Sequence, residues 1–230
     1  MTAAIGVLGV VQCRLASTRL PGKALADLGG RTMLEWVLAR ALWCRELDRV
    51  VLATTTAPED DAVAAVAEAH GLPVVRGAVD DVLGRYAAVL VEHPARCVVR
   101  ITADNPFTDP ETVDRVVRLF GEMDLDYAYA ARIPYGTGAD AFRGAELTAL
   151  AKRATDPVQR EHINRSFLDN HLAYRIGSVP PAPGTDRPEV RLTVDDARDL
   201  DRARAVVSRL DNPLGSGLLS IIAAYDSINT

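Results

Sequence analysis

The chain has 230 residues, 48% hydrophobic and 25% charged, enough to bury a core within one α/β domain. Its net charge of -5 excludes the strongly basic surface that nucleic acid recruits, though not a local cluster of donors for a small anion. Cys13, Cys44 and Cys97 are too few and too scattered for a disulfide scaffold or a zinc site, and no apolar run approaches ~20 residues. With no basic leader in the apolar residues 1–11, the expectation is a soluble cytoplasmic protein with no membrane contact.

Short apolar runs alternate with amphipathic stretches, the pattern of βα units and a largely parallel sheet. Ile5–Gln12 predicts a first strand, and Thr32 with Glu35 forms a capping box for a helix reaching Arg45. A strand follows at Arg49–Thr54. Pro58 then opens a helix that runs to His70 and stops at Gly71. Pro73–Val75 predicts a third strand, Asp81–Glu92 a helix, and Cys97–Ile101 a central buried strand that carries Arg100.

Pro110–Phe120 reads as a helix and Tyr127–Ala130 as a strand. The glycine- and proline-rich stretch Arg132–Gly144 breaks the rhythm as a loop or ribbon. Glu161–Asn170 predicts a helix, Arg191–Val194 a late strand, Asp196–Leu210 a helix and Leu218–Tyr225 the last one. No repeat or linker divides the chain. The expected architecture is a single domain over residues 1–230, a Rossmann-like mixed, mostly parallel sheet flanked by helices, with 132–190 as an inserted acceptor-side region.

Ligands of open α/β sheets bind beyond the carboxyl ends of the strands. The first such end carries Gln12, Cys13, Arg14, Leu15, Ala16, Ser17, Thr18, Arg19, Leu20, Pro21, Gly22 and Lys23. Three cations, two hydroxyls and free backbone amides in one short loop can wrap a triphosphate. Arg14 and Lys23 would offset the charge that grows on a leaving pyrophosphate. The loop is not a Walker motif, because Ala24 follows Lys23, and three spaced glycines of a dinucleotide fingerprint are lacking. Lysine is otherwise scarce in this chain: among 26 basic residues the only other one is Lys152.

This segment resembles the signature of the cytidylyltransferases that activate acidic sugars, including the KDO and acylneuraminate enzymes and the spore-coat polysaccharide group. Further matches follow in order: Asp80–Tyr86, Arg100–Pro106, Arg160–His162 and Leu192–Asp195. The resemblance implies a nucleotide-diphospho-sugar transferase fold, CTP as donor, magnesium as cofactor and a possible homodimer. It places Thr55, Asp81, Arg85, Thr102 and Ala103 beside the nucleotide together with the loop residues Gln12–Arg19 and Lys23. Asp104 and Asp195 are the implied metal ligands. Each aspartate by itself also reads as a turn or helix-capping residue. Strand alternation points the neighbouring Asp196 away.

Asn105, Tyr135, Asp140, Arg160, Glu161 and His162 are expected around the acceptor. Where the family has Gly-x-Asp-x-Glu, this chain has Gly136-Thr137-Gly138-Ala139-Asp140, which puts the acceptor's identity in question. The basic residues between Arg132 and Arg165 suggest a compact anion such as phosphonoformate, and the family resemblance suggests a sugar acid. Two further readings remain open: a nucleotidyltransferase using another NTP, and a non-catalytic nucleotide-binding protein on the same fold.

Overall fold

The computed structural model describes residues 5–228, so most of the apolar start at 1–11 can be placed, while residues 1–4 lie outside it. β1 (Ile5–Gln12), β2 (Arg49–Thr55), β3 (Val74–Gly77) and β4 (Ala95–Thr102) are the parallel strands expected from the apolar runs. β5 (Tyr127–Ala130), β6 (Asp140–Arg143) and β7 (Ile176–Val179) complete a seven-stranded sheet of order β3-β2-β1-β4-β6-β5-β7. Only β6 runs antiparallel, between β4 and β5. The fold is therefore a mixed, mostly parallel sheet, as the sequence pattern predicts.

Central strands bury both faces, so side chains of either parity are apolar. On one face Val11, Leu52, Val99 and Ile101 pack under α1 (Met33–Leu42), α2 (Asp61–Ala69) and α4 (Pro110–Glu122). On the other, Leu8, Val10, Val98 and Phe142 meet α3 (Val82–Glu92) and α5 (Gly144–Arg153), with Phe167 alongside. A third cluster joins Trp36 and Phe107 to α8 (Ala197–Val207) and α9 (Leu218–Ser227). The capping box at α1 is complete: the Glu35 amide donates to the Thr32 hydroxyl and the Thr32 amide to the Glu35 carboxylate. Such a cap contributes ~1 kcal/mol.

Three expectations change, each for a local reason. Two of the sheet's strands, β6 and β7, come from within 132–190, so that stretch is part of the sheet and its core. The helix expected over Glu161–Asn170 is two short ones, α6 (Pro157–Glu161) and α7 (Arg165–Asp169). Asp156 caps the first by accepting from the Val158 amide, and the chain leaves helical geometry at His162.

Arg191–Val194 is extended but not a sheet strand. Its single bridge pairs Arg191 with Tyr135, and the Val194 amide donates to the Asp104 carbonyl at 2.8 Å. The segment can lie this close because Gly136 has φ +96°, and a Cβ there would sit 2.5 Å from the Thr193 nitrogen. That approach sets Asp195 beside Asp104.

Candidate active site

β1 and β4 are adjacent, with Gln12 opposite Thr102, so the loops that leave them share one rim. The loop after β1 is pinned from beneath. Its Leu15 amide donates to Asp60 Oδ1 at 2.7 Å, and Asp60 Oδ2 accepts from the Thr55 amide and hydroxyl. Asp60 is buried, so each of these bonds also satisfies a charge removed from water. Ser17 accepts from the Leu20 amide, and the left-handed Gly22 (φ +72°) turns the chain into a single 3-10 turn at Lys23–Leu25. The loop thus presents Arg14, Arg19 and Lys23 to one side.

Lys23 faces the two aspartates. Its ammonium donates to the Val194 carbonyl at 2.7 Å and lies 3.5 Å from Asp195 Oδ1 and 3.6 Å from Asp104 Oδ2. The Asp104 carboxylate is not spent in a turn, because Thr102 Oγ1 takes the Asn105 side-chain amide and the Asp104 carbonyl takes the Val194 amide. Asp195 does not cap α8 either; Asp196 does so by accepting from the Asp199 amide. Asp195 instead accepts from Arg19 at 2.8 Å and from Arg191, whose guanidinium also lies over the Tyr135 ring at 5.2 Å.

The rim opens into a groove with two halves. One, about 350 Å³, is lined by Gln12, Cys13, Arg14, Ala16, Ser17, Thr18, Lys23, Ala103 and Glu161 among others. The second, about 540 Å³, is walled by Tyr129, Ile133 and Tyr135, with Asn105, Gly138, Asp140 and Asn164 as polar or open positions. Arg19, Arg100, Thr102, Asp104, His162 and Asp195 line both halves. The break between α6 and α7 is what brings His162 to this junction and Asn164 to the larger half.

Other predicted residues lie behind the walls. Thr55 is buried against Asp60. Arg85 is buried and donates to the Ala78 and Val79 carbonyls, while Arg14 reaches Val79 and Glu161. Asp81 caps α3 through the Gly84 amide and binds Arg160 through both carboxylate oxygens. Burial raises the Asp81 pKa, but the bonds from Arg160 and Gly84 outweigh it and hold the carboxyl below its usual value. Arg160 therefore lines neither half of the groove. Leu15 contributes its backbone.

The cations counted between Arg132 and Arg165 do not converge on the larger half of the groove. Arg132 pairs with Asp186, Arg143 with Asp124 and Asp126, Arg153 with Tyr174 and Arg165 with Asp169, while Lys152 is exposed on α5. An acceptor inferred from their number therefore loses its support. Sequence reasoning gave no role to Arg100, Asn164, Asp60 or Arg191. Arg100 carried a signal, a charge inside an otherwise apolar strand; the other three are placed by tertiary contacts.

A cation-rich loop after β1, facing two carboxylates at the carboxyl edge of a mostly parallel sheet, defines a nucleotidyltransferase type of α/β fold. Residues 8–211 match the family model described as Cytidylyltransferase. The chain is 40% identical to the 3-deoxy-manno-octulosonate cytidylyltransferase of Chelativorans sp. (strain BNC1), across 86% of this chain and 96% of that protein. It is 30% identical to the spore coat polysaccharide biosynthesis protein SpsF of Bacillus subtilis, across 88% and 87%. A cytidylyltransferase structure from Leptospira borgpetersenii superposes with a TM-score of 0.88 at 25% identity, covering 97% of this chain and 94% of that one. The chain belongs to the cytidylyltransferase family.

Proposed function

We propose that this protein transfers CMP from CTP to a hydroxyl of an acidic sugar and releases pyrophosphate. The carrying observation is the shared rim: Arg19, Arg100, Thr102, Asp104, His162 and Asp195 line both halves of the groove, so a nucleotide in one meets an acceptor in the other. The acceptor oxygen attacks the α-phosphorus, and the bond to the bridging oxygen of the β-phosphate breaks. The electron pair leaves on pyrophosphate. Arg14, Arg19 and Lys23 stabilise that growing charge, which is where electrostatic preorganisation contributes most. His162, at the junction, is placed to take the hydroxyl proton.

Asp104 and Asp195 would hold the divalent cation, which we propose is magnesium. The pair fits such an ion: Lys23 already rests within 3.6 Å of both carboxylates, so they accommodate positive charge between them. Magnesium typically takes one or two carboxylates and completes its shell with phosphate oxygens and water. When bound it would polarise the α-phosphate. Lys23, displaced from the pair, would then be free to face the departing phosphates.

A sugar acid suits the acceptor half better than a one-carbon phosphonate. About 540 Å³ lies within the usual range for sites that enclose a drug-sized ligand. Its wall combines Tyr129 and Ile133 with the amides Asn105 and Asn164, a surface for carbon rings and hydroxyls. The named relatives act on 3-deoxy-manno-octulosonate or serve spore-coat polysaccharide, in keeping with this reading. Pyrophosphate release from CTP should be measured with 3-deoxy-manno-octulosonate, an acylneuraminate and phosphonoformate in turn. Turnover with a sugar acid is expected; turnover with phosphonoformate alone would replace this reading with the phosphonate one.

A further inference from the structure

Arg100 has no part in the phosphate loop or the carboxylate pair, yet it sits where the two halves of the groove meet. It lies on β4, on the sheet face where Val98 and Phe142 pack against α3 and α5. A guanidinium placed there must find partners, since an unpaired buried charge is costly. The partners are few. Nε donates to Gln12 Oε1 and Nη1 to Asp140 Oδ2, each at 3.4 Å, close to the limit for a hydrogen bond.

Asp140 stands directly opposite Arg100 in the antiparallel β4–β6 register, and its other oxygen accepts from the Tyr127 hydroxyl at 2.8 Å. These two long bonds engage Nε and Nη1, and the buried Tyr86 hydroxyl lies beside the group, so the guanidinium keeps donors to spare for a ligand. Burial opposes the charge on Arg100, but Tyr86, Asp140 and Asp104 outweigh it and hold the pKa above its usual value. The group is permanently cationic, loosely tethered and open to both halves of the groove.

We infer that Arg100 is a specificity-determining residue of the acceptor half, reading an anionic group carried on or next to the carbon that bears the attacking hydroxyl. The inference rests on the acidic-sugar reading and narrows it. Reaction takes place where the halves adjoin, so any charge that Arg100 holds lies close to the attacking oxygen. A sugar whose carboxylate is remote from that hydroxyl would leave Arg100 unpaired. Arg19 shares the rim but is more exposed and already bound by Asp195 at 2.8 Å. Asp140, held by Arg100 and Tyr127, is the carboxylate that the acceptor's anion would displace from the guanidinium.

The test is calorimetric titration of 3-deoxy-manno-octulosonate, and of its carboxamide, into protein saturated with magnesium and a non-hydrolysable CTP analogue. Wild type, Arg100→Gln and Arg100→Lys are compared. In Arg100→Gln the affinity for the acid is expected to fall about 30-fold, as for a lost hydrogen bond to a charged group, while affinity for the nucleotide analogue changes less than about 3-fold. Arg100→Lys should recover part of the loss, and the carboxamide should bind wild type and Arg100→Gln equally weakly.

Equal loss of acid and nucleotide, or no loss of acid, would overturn the assignment and leave the acidic-sugar reading standing. Wild type that binds no sugar acid, yet releases pyrophosphate with phosphonoformate, would overturn both. If Arg100→Gln does not fold, Asp140→Asn asks the question from the other side. Freed of its carboxylate, Arg100 should bind the acid at least as tightly as before. A loss above about tenfold with an unchanged circular dichroism spectrum would make the Arg100–Asp140 pair structural.

Discussion

The two halves of the groove are assembled in different ways. The nucleotide half hangs on β1 and β4, adjacent parallel strands, and on one loop whose backbone is pinned by Asp60, Ser17 and Gly22. The acceptor half gathers Tyr129 from β5, Asp140 from β6, His162 and Asn164 from a break between helices, and Thr193 from an extended segment outside the sheet. On the proposed assignment, phosphate handling is local in sequence and acceptor recognition is a product of the tertiary fold. One consequence is that acceptor preference can change through distant substitutions while the phosphate loop stays as it is.

Substitutions at the junction should affect both halves and have the largest effect. Asp104→Ala or Asp195→Ala is expected to lower turnover by at least about 100-fold in magnesium, with the circular dichroism spectrum unchanged. Near-normal rates in either variant would make the carboxylates structural.

Within the nucleotide half, Lys23→Ala is expected to reduce kcat about 100-fold while CTP affinity falls less than about tenfold, because leaving-group charge peaks in the transition state. Equilibrium binding alongside steady-state rates separates the two. A drop confined to affinity would assign Lys23 to ground-state binding.

Asp60→Ala tests whether the halves are separable. It removes the acceptor for the Leu15 and Thr55 amides and should cost about 1–3 kcal/mol in a denaturant titration. It should also raise the KM for CTP and leave that for the acceptor unchanged. A matching rise in both would show that the loop and the acceptor wall move together.

The smallest effect concerns the thiols. Burial pushes Cys44 and Cys97 up to about 12, and burial reinforced by Asp60 and Asp104 pushes Cys13 higher still. The folded protein should therefore resist iodoacetamide from pH 7 to 9, with all three thiols labelling only after denaturation. Above the ordinary thiol value of 9.0 the unfolded chain loses protons that the folded chain keeps, so stability should decline as pH rises beyond it. Fast labelling of Cys13 alone would reveal opening of the loop after β1, and nucleotide should suppress it.

The sequence carried the first half of the fold because its signals there are local. Apolar runs mark β1 and β2, the Thr32–Glu35 box marks α1, and Pro110 opens α4. β6 was hidden because it is four residues long with charged ends, Asp140 and Arg143, whose partners lie far along the chain. α5 was hidden behind Gly144, which reads as a breaker. Here it is needed because a Cβ would lie 2.2 Å from the Ala95 carbonyl oxygen. Of the candidate site, the loop and both aspartates were visible as motifs, Asp104 just beyond β4 and Asp195 after an extended segment outside the sheet. The Arg160–Asp81 pair was not, because 79 residues separate its members and nothing in either local sequence names the other.

The most direct test of the account is pyrophosphate release by the wild-type protein with 3-deoxy-manno-octulosonate as acceptor and CTP, UTP, ATP and GTP as alternative donors. Release with CTP should be sustained and at least about tenfold faster than with any other nucleotide. Equal rates with all four, or faster release with a purine nucleotide, would contradict cytidylyl transfer.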